Sequence, residues 1–271
     1  MDKTKAKSEL HIIKIGGNVI DNSENLYKFL KDFTALEGYK ILVHGGGKVA
    51  TQLSETLGIE TKLVDGRRIT DIETLRVVTM VYGGLINKNI VAQLQRFGTN
   101  AIGLTGADGD FIRTKKRPVK AIDYGFVGDI EEKSISPENI KRLMEAGFTP
   151  VFCAITHDGE GQLLNTNADT IASALAVALA KLYDTTLVYC FEKQGVLKDI
   201  NDEASLIKEL DPQRYLALKE QQIIHSGMLP KLDNAFTAIG CGVKAVIIGH
   251  ADKLGELKKN KSFGTRLSKS A

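Results

Sequence analysis

Five short stretches of the 271-residue sequence carry side chains and backbone suited to handling an anion. In "KIGG", Lys14 interrupts the apolar run of Ile12, Ile13 and Ile15 and is followed by Gly16 and Gly17, so a cation stands at the mouth of a strand-like segment against bare backbone. "VHGGG" ends a second apolar run with Gly45, Gly46 and Gly47. Successive glycine amides leading into a helix form an anion cradle that the helix dipole reinforces. "GRRIT" sets Arg67 and Arg68 beside a turn, and arginine forks carboxylates and phosphates. "NTNAD" places Asn165, Asn167 and Asp169 before an alanine-rich segment; one of the three is expected to cap a helix, and the others exceed what capping needs. "GMLPK" puts Lys231 in the first turn of a helix, where a cation is unfavourable unless an anion is near. Lysines, glycine amides, an arginine and a lone aspartate suit phosphoryl transfer, which needs positive charge and N–H donors around the moving group.

Other readings of these stretches are narrower. "HGGGKVA" fails as a P-loop, because Val49 follows Gly47-Lys48 where Ser or Thr is required and no glycine stands five residues before Gly47. Gly45-x-Gly47-x-x-Ala50 does match a dinucleotide fingerprint, with Asp65 downstream, so a dinucleotide-dependent oxidoreductase is the alternative of another class. His44 reads as a packed residue at a strand end. The net charge of +3 is too small and too spread for a nucleic-acid partner. Lys115, Lys116 and Arg117 read as a solvated hairpin tip. Cys153, Cys190 and Cys241 lie far apart with no CxxC spacing, which argues for core thiols in a reducing compartment and against a disulfide or zinc framework. No apolar stretch of signal or membrane-spanning length is present. A cytoplasmic protein without membrane contact is expected.

The elements that must position these residues alternate between strand and helix. Residues 11–15 read as a strand. Residues 23–35 carry Leu26, Phe29, Leu30 and Phe33 at helical spacing, with Asn22 or Ser23 as cap. "KILVH" is a strand, and 48–57 a helix stopped by Gly58. Residues 71–97 read as one long helix with a break at Gly83-Gly84, 109–130 as a hairpin excursion, and "SPENIKRLMEAG" as a helix capped by Ser136. "TPVFCAI", "TTLVYCF" and "VKAVIIG" are strands, and helices are expected over 168–180, 212–221, 230–240 and 252–258. This alternation implies an α/β fold, a mainly parallel sheet with helices on both faces and ligands beyond the C-terminal strand ends.

Taken in order, "KIGG", "VHGGG", "GRRIT", "NTNAD" and "GMLPK", with the ending "VKAVIIG…GTRL", resemble the amino-acid kinase family over nearly the whole chain. Within it they are similar to the branch that phosphorylates acylated glutamate in arginine biosynthesis. The resemblance implies an open three-layer αβα sandwich, with an N-terminal lobe (1–175) for the acyl-glutamate and dimerisation and a C-terminal lobe (176–271) for ATP. It implies ATP with Mg²⁺ as phosphoryl donor, N-acetyl-L-glutamate as acceptor (N-succinyl-L-glutamate as alternative), and a homodimer with the 71–97 segment as candidate interface. Lys14, Lys231 and Asp169 correspond to the catalytic residues. Gly46, Gly47, Arg68 and Asn165 correspond to acyl-glutamate binders, with Asn167 beside them. Gly16, Gly17, Glu192, Lys193, Gly195, Leu197, Ile223 and His225 fall on nucleotide contacts, with no dedicated metal ligands. Two departures stand out. "CFEKQGVL" replaces the family's SDVxG-type turn, and the short polar stretch before the first strand leaves no arginine-linked hexamer expected. The motifs place no Lys or Arg beside the acyl group, which favours acetyl, since a buried unpaired carboxylate is costly.

Overall fold

The computed structural model describes residues 6–64, 66–199, 201–224, 228–259 and 263–270. Asp65 of the dinucleotide fingerprint, His225 and Gly227 of "GMLPK" lie outside the described residues. An eight-stranded sheet has β1 (Glu9–Ile15) near its centre. On one side follow β2 (Tyr39–His44), β8 (Thr149–Cys153) and β5 (Ala101–Leu104); on the other follow β11 (Asp184–Phe191), β13 (Ala245–His250), β14 (Thr265–Leu267) and β12 (Glu209–Leu210). The pairs are parallel except β13 with β14. Leu10, Ile12, Ile13 and Ile15 are fully buried. That near-continuous apolar run is what a parallel strand covered on both faces requires. Its one cation, Lys14, stands in register with Val43 on β2 and Tyr189 on β11, close to the C-terminal edge.

The expected α/β architecture is present, and most helices fall within a residue or two of their expected spans. Asn22 caps α2 (Ser23–Ala35), accepting from the amides of Glu24 and Asn25. Helix α3 (Gly47–Thr56) starts inside the glycine turn. Helix α7 (Ala168–Leu179) packs on β1, β2 and β11 and against α9 (Leu229–Gly240). Its small side chains let it lie close to the sheet centre. Residue 175, the expected lobe boundary, falls within α7, and the sheet runs unbroken past it. Three two-stranded ribbons lie outside the main sheet: β3 (Leu63–Val64) with β4 (Arg67–Arg68), β6 (Lys115–Lys116) with β7 (Gly128–Asp129), and β9 (Ile155–His157) with β10 (Leu163–Asn165).

Four local readings are corrected. Residues 71–97 do not break at Gly83-Gly84. Helix α4 (Ile72–Val78) passes into a π-helix (Thr79–Ile86) and then into α5 (Asn87–Arg96). The wider π turn brings Tyr82 and Ile86 against the glycine turn: a Cβ on Gly46 would lie 2.2 Å from Ile86 Cδ1. Ser136 makes no side-chain cap; its hydroxyl donates to Asp110 O at 2.8 Å. Arg117 is not a solvated tip residue, since it pairs with Asp129 and stacks on Tyr124 at 5.0 Å. Cys241 is exposed beyond the end of α9, whereas Cys153 and Cys190 are core thiols.

His44 is packed, as its position at a strand end suggests. It is fully buried. Its Nδ1 donates to Gly45 O at 2.8 Å, and its Nε2 accepts from Asn87 Nδ2 at 3.0 Å. Asn87 Nδ2 also donates to Val151 O at 3.0 Å. This arrangement uses the neutral ring, and burial pushes the His44 pKa down to about 4. An unfolded histidine takes up its proton near pH 6.5. Between those values the unfolded chain therefore holds more protons, and this contribution to stability is lost as pH falls. The urea midpoint should drop between pH 7.5 and pH 5, and His44→Gln should flatten that drop. An unchanged slope in the variant would assign the pH dependence to other groups.

Candidate active site

The C-terminal ends of β1 and β2 open onto a cleft of about 1420 Å³. Lys14, Gly17, Gly45, Gly46, Gly47, Arg68, Asn165 and Asn167 are among the residues that line it. A second cleft of about 790 Å³ lies between α7, α9 and the segment after β7; Asp169, Phe191 and Lys231 line it, and Asn167 borders both. Six short segments far apart in sequence thus meet at one edge of the sheet, because parallel strands place all their C-terminal loops there.

The charged centre joins β1 to α7. Asn167 caps α7, its Oδ1 accepting from Asp169 N at 2.8 Å and Thr170 N at 3.1 Å. Asp169 therefore sits in the first turn, where the helix dipole favours a carboxylate. Its Oδ1 lies 2.7 Å from Lys14 Nζ. Tyr189 donates from its hydroxyl to the backbone oxygen of Asp169 at 3.2 Å. Lys231, in the first turn of α9, has no carboxylate within ion-pair distance among the described residues, and its Nζ lies 3.9 Å from the centre of the Phe191 ring. Burial pulls the Lys231 pKa below the ordinary lysine range; Asp169 works against that, and neighbouring Lys14 adds to it.

The glycine turn is held from behind. Gly46 has φ 151, a conformation closed to most side chains. Arg68, buried, donates from Nη2 to Gly47 O at 2.9 Å and to Thr51 Oγ1 at 2.8 Å, and from Nη1 to Thr61 Oγ1 at 3.1 Å. Both Nη2 hydrogens are thereby engaged. A bidentate grip on a carboxylate requires the ligand to replace Gly47 O or Thr51. Asn165 Nδ2 donates to Thr70 Oγ1 at 3.0 Å, leaving its carbonyl end toward further partners.

The residues expected to contact the nucleotide are less convergent. Gly16 caps α1 (Gly17–Ile20) beside the first cleft. Glu192 and Lys193 are exposed, and neither they nor Gly195, Leu197 and Ile223 line the two clefts. Gly195 has a packing reason of its own: a Cβ there would lie 2.6 Å from Thr265 Oγ1. Leu197 is buried and bridges to Leu206. Sequence reasoning missed Phe191, Tyr189, Asn87 and Thr51. The alternation of Tyr189 and Phe191 in "TTLVYCF", two residues apart and so on one strand face, was the available signal for the rings. Arg67, Arg117 and Lys120 line the first cleft together with Asn165 and Asn167.

Comparison with known proteins shows the family. Residues 9–250 match the model of the amino acid kinase family. The chain is 58% identical to an acetylglutamate kinase of Cytophaga hutchinsonii, covering 96% of this chain and 98% of that one. It is 56% identical to an acetylglutamate kinase of Phocaeicola vulgatus, covering 92% and 96%. Among solved structures, carbamate kinase of Giardia lamblia bound to AMP-PNP superposes with a TM-score of 0.68 at 16% identity, covering 98% of this chain and 99% of that one, a likeness of fold. The chain belongs to the amino acid kinase family, alongside these acetylglutamate kinases.

Proposed function

We propose that this enzyme transfers the γ-phosphoryl group of ATP to the side-chain carboxylate of N-acetyl-L-glutamate, giving N-acetyl-L-glutamyl 5-phosphate and ADP, a step of arginine biosynthesis. The observation that carries the reading is the meeting of Lys14, Asp169, Lys231 and the Gly45–Gly47 turn at one sheet edge, in a chain 58% identical to an acetylglutamate kinase. The acceptor carboxylate has a reference pKa of about 4.3 and is ionised at neutral pH. No general base is needed, and catalysis reduces to alignment and charge neutralisation. Lys14 and Lys231 take the phosphoryl oxygens from two sides, while Asp169 keeps Lys14 aimed into the cleft. Amides of Gly16-Gly17 and the second glycine turn receive phosphate oxygens, and Arg68 with Asn165 and Asn167 holds the acyl-glutamate. The nucleotide base side falls to Glu192, Lys193, Gly195, Leu197 and Ile223, which flank the end of β11. Among the described residues no three His, Cys, Asp or Glu side chains converge. Mg²⁺ enters with the nucleotide phosphates, where it neutralises their charge.

The N-terminal lobe takes the acyl-glutamate and the C-terminal lobe the nucleotide, on the two sides of α7. Exposed Ile72, Met80 and Leu85 along the α4–π segment support that segment as the face of a homodimer. The sparse free cysteines suit a cytoplasmic enzyme, and no helix among the described residues is long and apolar enough to cross a membrane.

Lys231→Ala should lower kcat by two to three orders of magnitude, roughly 3–4 kcal/mol of transition-state stabilisation, with much smaller changes in either KM. A kcat within about threefold of the parent places Lys231 outside the transition state. Arg68→Lys should raise the acyl-glutamate KM at least about tenfold and leave the ATP KM nearly unchanged, since lysine cannot reproduce the fork or the hold on Gly47 and Thr51. A normal acyl-glutamate KM moves the carboxylate to Arg67.

The cations on the first cleft support a second reading of the acyl group. Arg117 is already paired with Asp129, but Arg67 and Lys120 have no ion-pair partner among the described residues, and the α-carboxylate needs only one of the cleft's arginines. Coupled ADP release with N-acetyl- and N-succinyl-L-glutamate separates the two. A higher kcat/KM for the acetyl substrate is expected. A higher value for the succinyl substrate assigns Arg67 or Lys120 to a second carboxylate.

A further inference from the structure

Phe191 closes β11 between the two lysines. Lys231 Nζ lies 3.9 Å and Lys14 Nζ 5.4 Å from its ring centre. Tyr189, on the same strand face, stacks against it with ring centres 6.0 Å apart and an interplanar angle of 17°. This pair of rings touches every member of the charged centre: Tyr189 bonds the Asp169 backbone, and Phe191 faces both ammonium groups. Asp169 approaches Lys14 to 2.7 Å and makes no ion pair with Lys231. A half-buried ammonium needs a negative partner, and the face of an aromatic ring is one. Phe191 opens "FEKQG", the part of the chain that departs from the family's usual turn.

We propose that Phe191 is a positioning residue that seats Lys231, in its ammonium form, beside Lys14, its ring face filling the place of the carboxylate that Lys231 lacks. The kinetic side of this rests on the phosphoryl-binding role assigned to Lys231 above; the seat itself does not. Lys14 on β1 and Asp169 on α7 are the charged groups that act on Lys231, and Tyr189 on β11 bonds the Asp169 backbone. Across the second cleft it faces Arg67, Glu131, Glu132 and Lys181. Burial and Lys14 disfavour the ammonium and Asp169 favours it. The ring adds to the Asp169 side. In the ligand-free enzyme it keeps the charge of Lys231 in place until phosphate oxygens supply a stronger partner.

Phe191→Leu keeps apolar bulk and removes the ring's electrostatic face, whereas Phe191→Tyr keeps the ring. Lys231 is read directly by NMR titration of labelled lysine, assigned with Lys231→Arg, and the pH dependence of kcat is read in parallel. In Phe191→Leu, Lys231 should titrate lower by about half a pH unit or more, and the alkaline fall of kcat should move with it. The acyl-glutamate KM should stay constant, and Phe191→Tyr should restore both values. Phe191→Met gives the same comparison if the leucine variant does not fold. A Lys231 titration unmoved in a folded variant overturns the proposal, even where Tm falls, because the ring is then packing alone. A moved titration with an unmoved kcat profile supports the seat and removes Lys231 from the chemistry.

Discussion

The ion pair between Lys14 and Asp169, at 2.7 Å, is the constraint from which the rest of the site follows. A lysine near the buried end of a largely apolar strand is costly unless its charge is met. The partner must come from an element that crosses the sheet edge at that point, and α7 does so with its N-terminus. Asn167 fixes where the helix starts, the dipole favours a carboxylate in its first turn, and the small side chains of α7 let it settle on β1, β2 and β11. Lys231 enters the same neighbourhood from α9 without a carboxylate of its own among the described residues. The centre formed by Lys14, Asp169 and Lys231 is left with one positive charge in excess. That is an environment prepared for a transferring phosphoryl group rather than a satisfied structural network.

The glycine turn obeys a different constraint, close approach of backbone. Gly46 leaves no room for a side chain because Ile86 and Tyr82 press on it from the π-helix. Asn87, immediately after that helix, holds His44 and the middle of β8 through its amide. Arg68 holds Gly47 from the other side. The turn is therefore clamped by a buried neutral histidine, an asparagine and a guanidinium, each with its hydrogen bonds directed into the fold. Such satisfaction is what allows polar groups to be buried so near the site.

The ribbons around the first cleft depend on a buried set of hydroxyls. Thr114 Oγ1 and Thr166 Oγ1 lie 2.8 Å and 2.7 Å from Thr156 Oγ1. A Cβ on Gly128 would lie 2.4 Å from Thr114 Oγ1. These contacts bind the hairpin that carries Arg117 and Lys120 to the ribbon that delivers Asn165. Ligand-binding groups on loops thereby gain the rigidity of the sheet.

The sequence by itself determined the alternation of strands and helices, the sheet's parallel character, a cap from Asn22 or Ser23 and one from within "NTNAD", and the order of the anion-handling motifs; the structure selects Asn22 and Asn167 as the caps. These are local or periodic properties: an apolar run, a helical stripe, a glycine before a helix. The tertiary structure decided the rest. No local pattern reveals that residues 79–86 widen to a π-helix, since that depends on what Tyr82 and Ile86 must reach. None shows that Arg68 is already engaged by Gly47, Thr51 and Thr61, or that Arg117 is drawn from solvent by Asp129 and Tyr124. The ring of Phe191 lies against Lys14 and Lys231 only because β1, β11 and α9 meet in space; the two lysines are 177 and 40 positions from Phe191 in the chain. Residue type and spacing carry local conformation; the partner of a charge is set by sheet register and helix packing, which a single strand or helix does not encode.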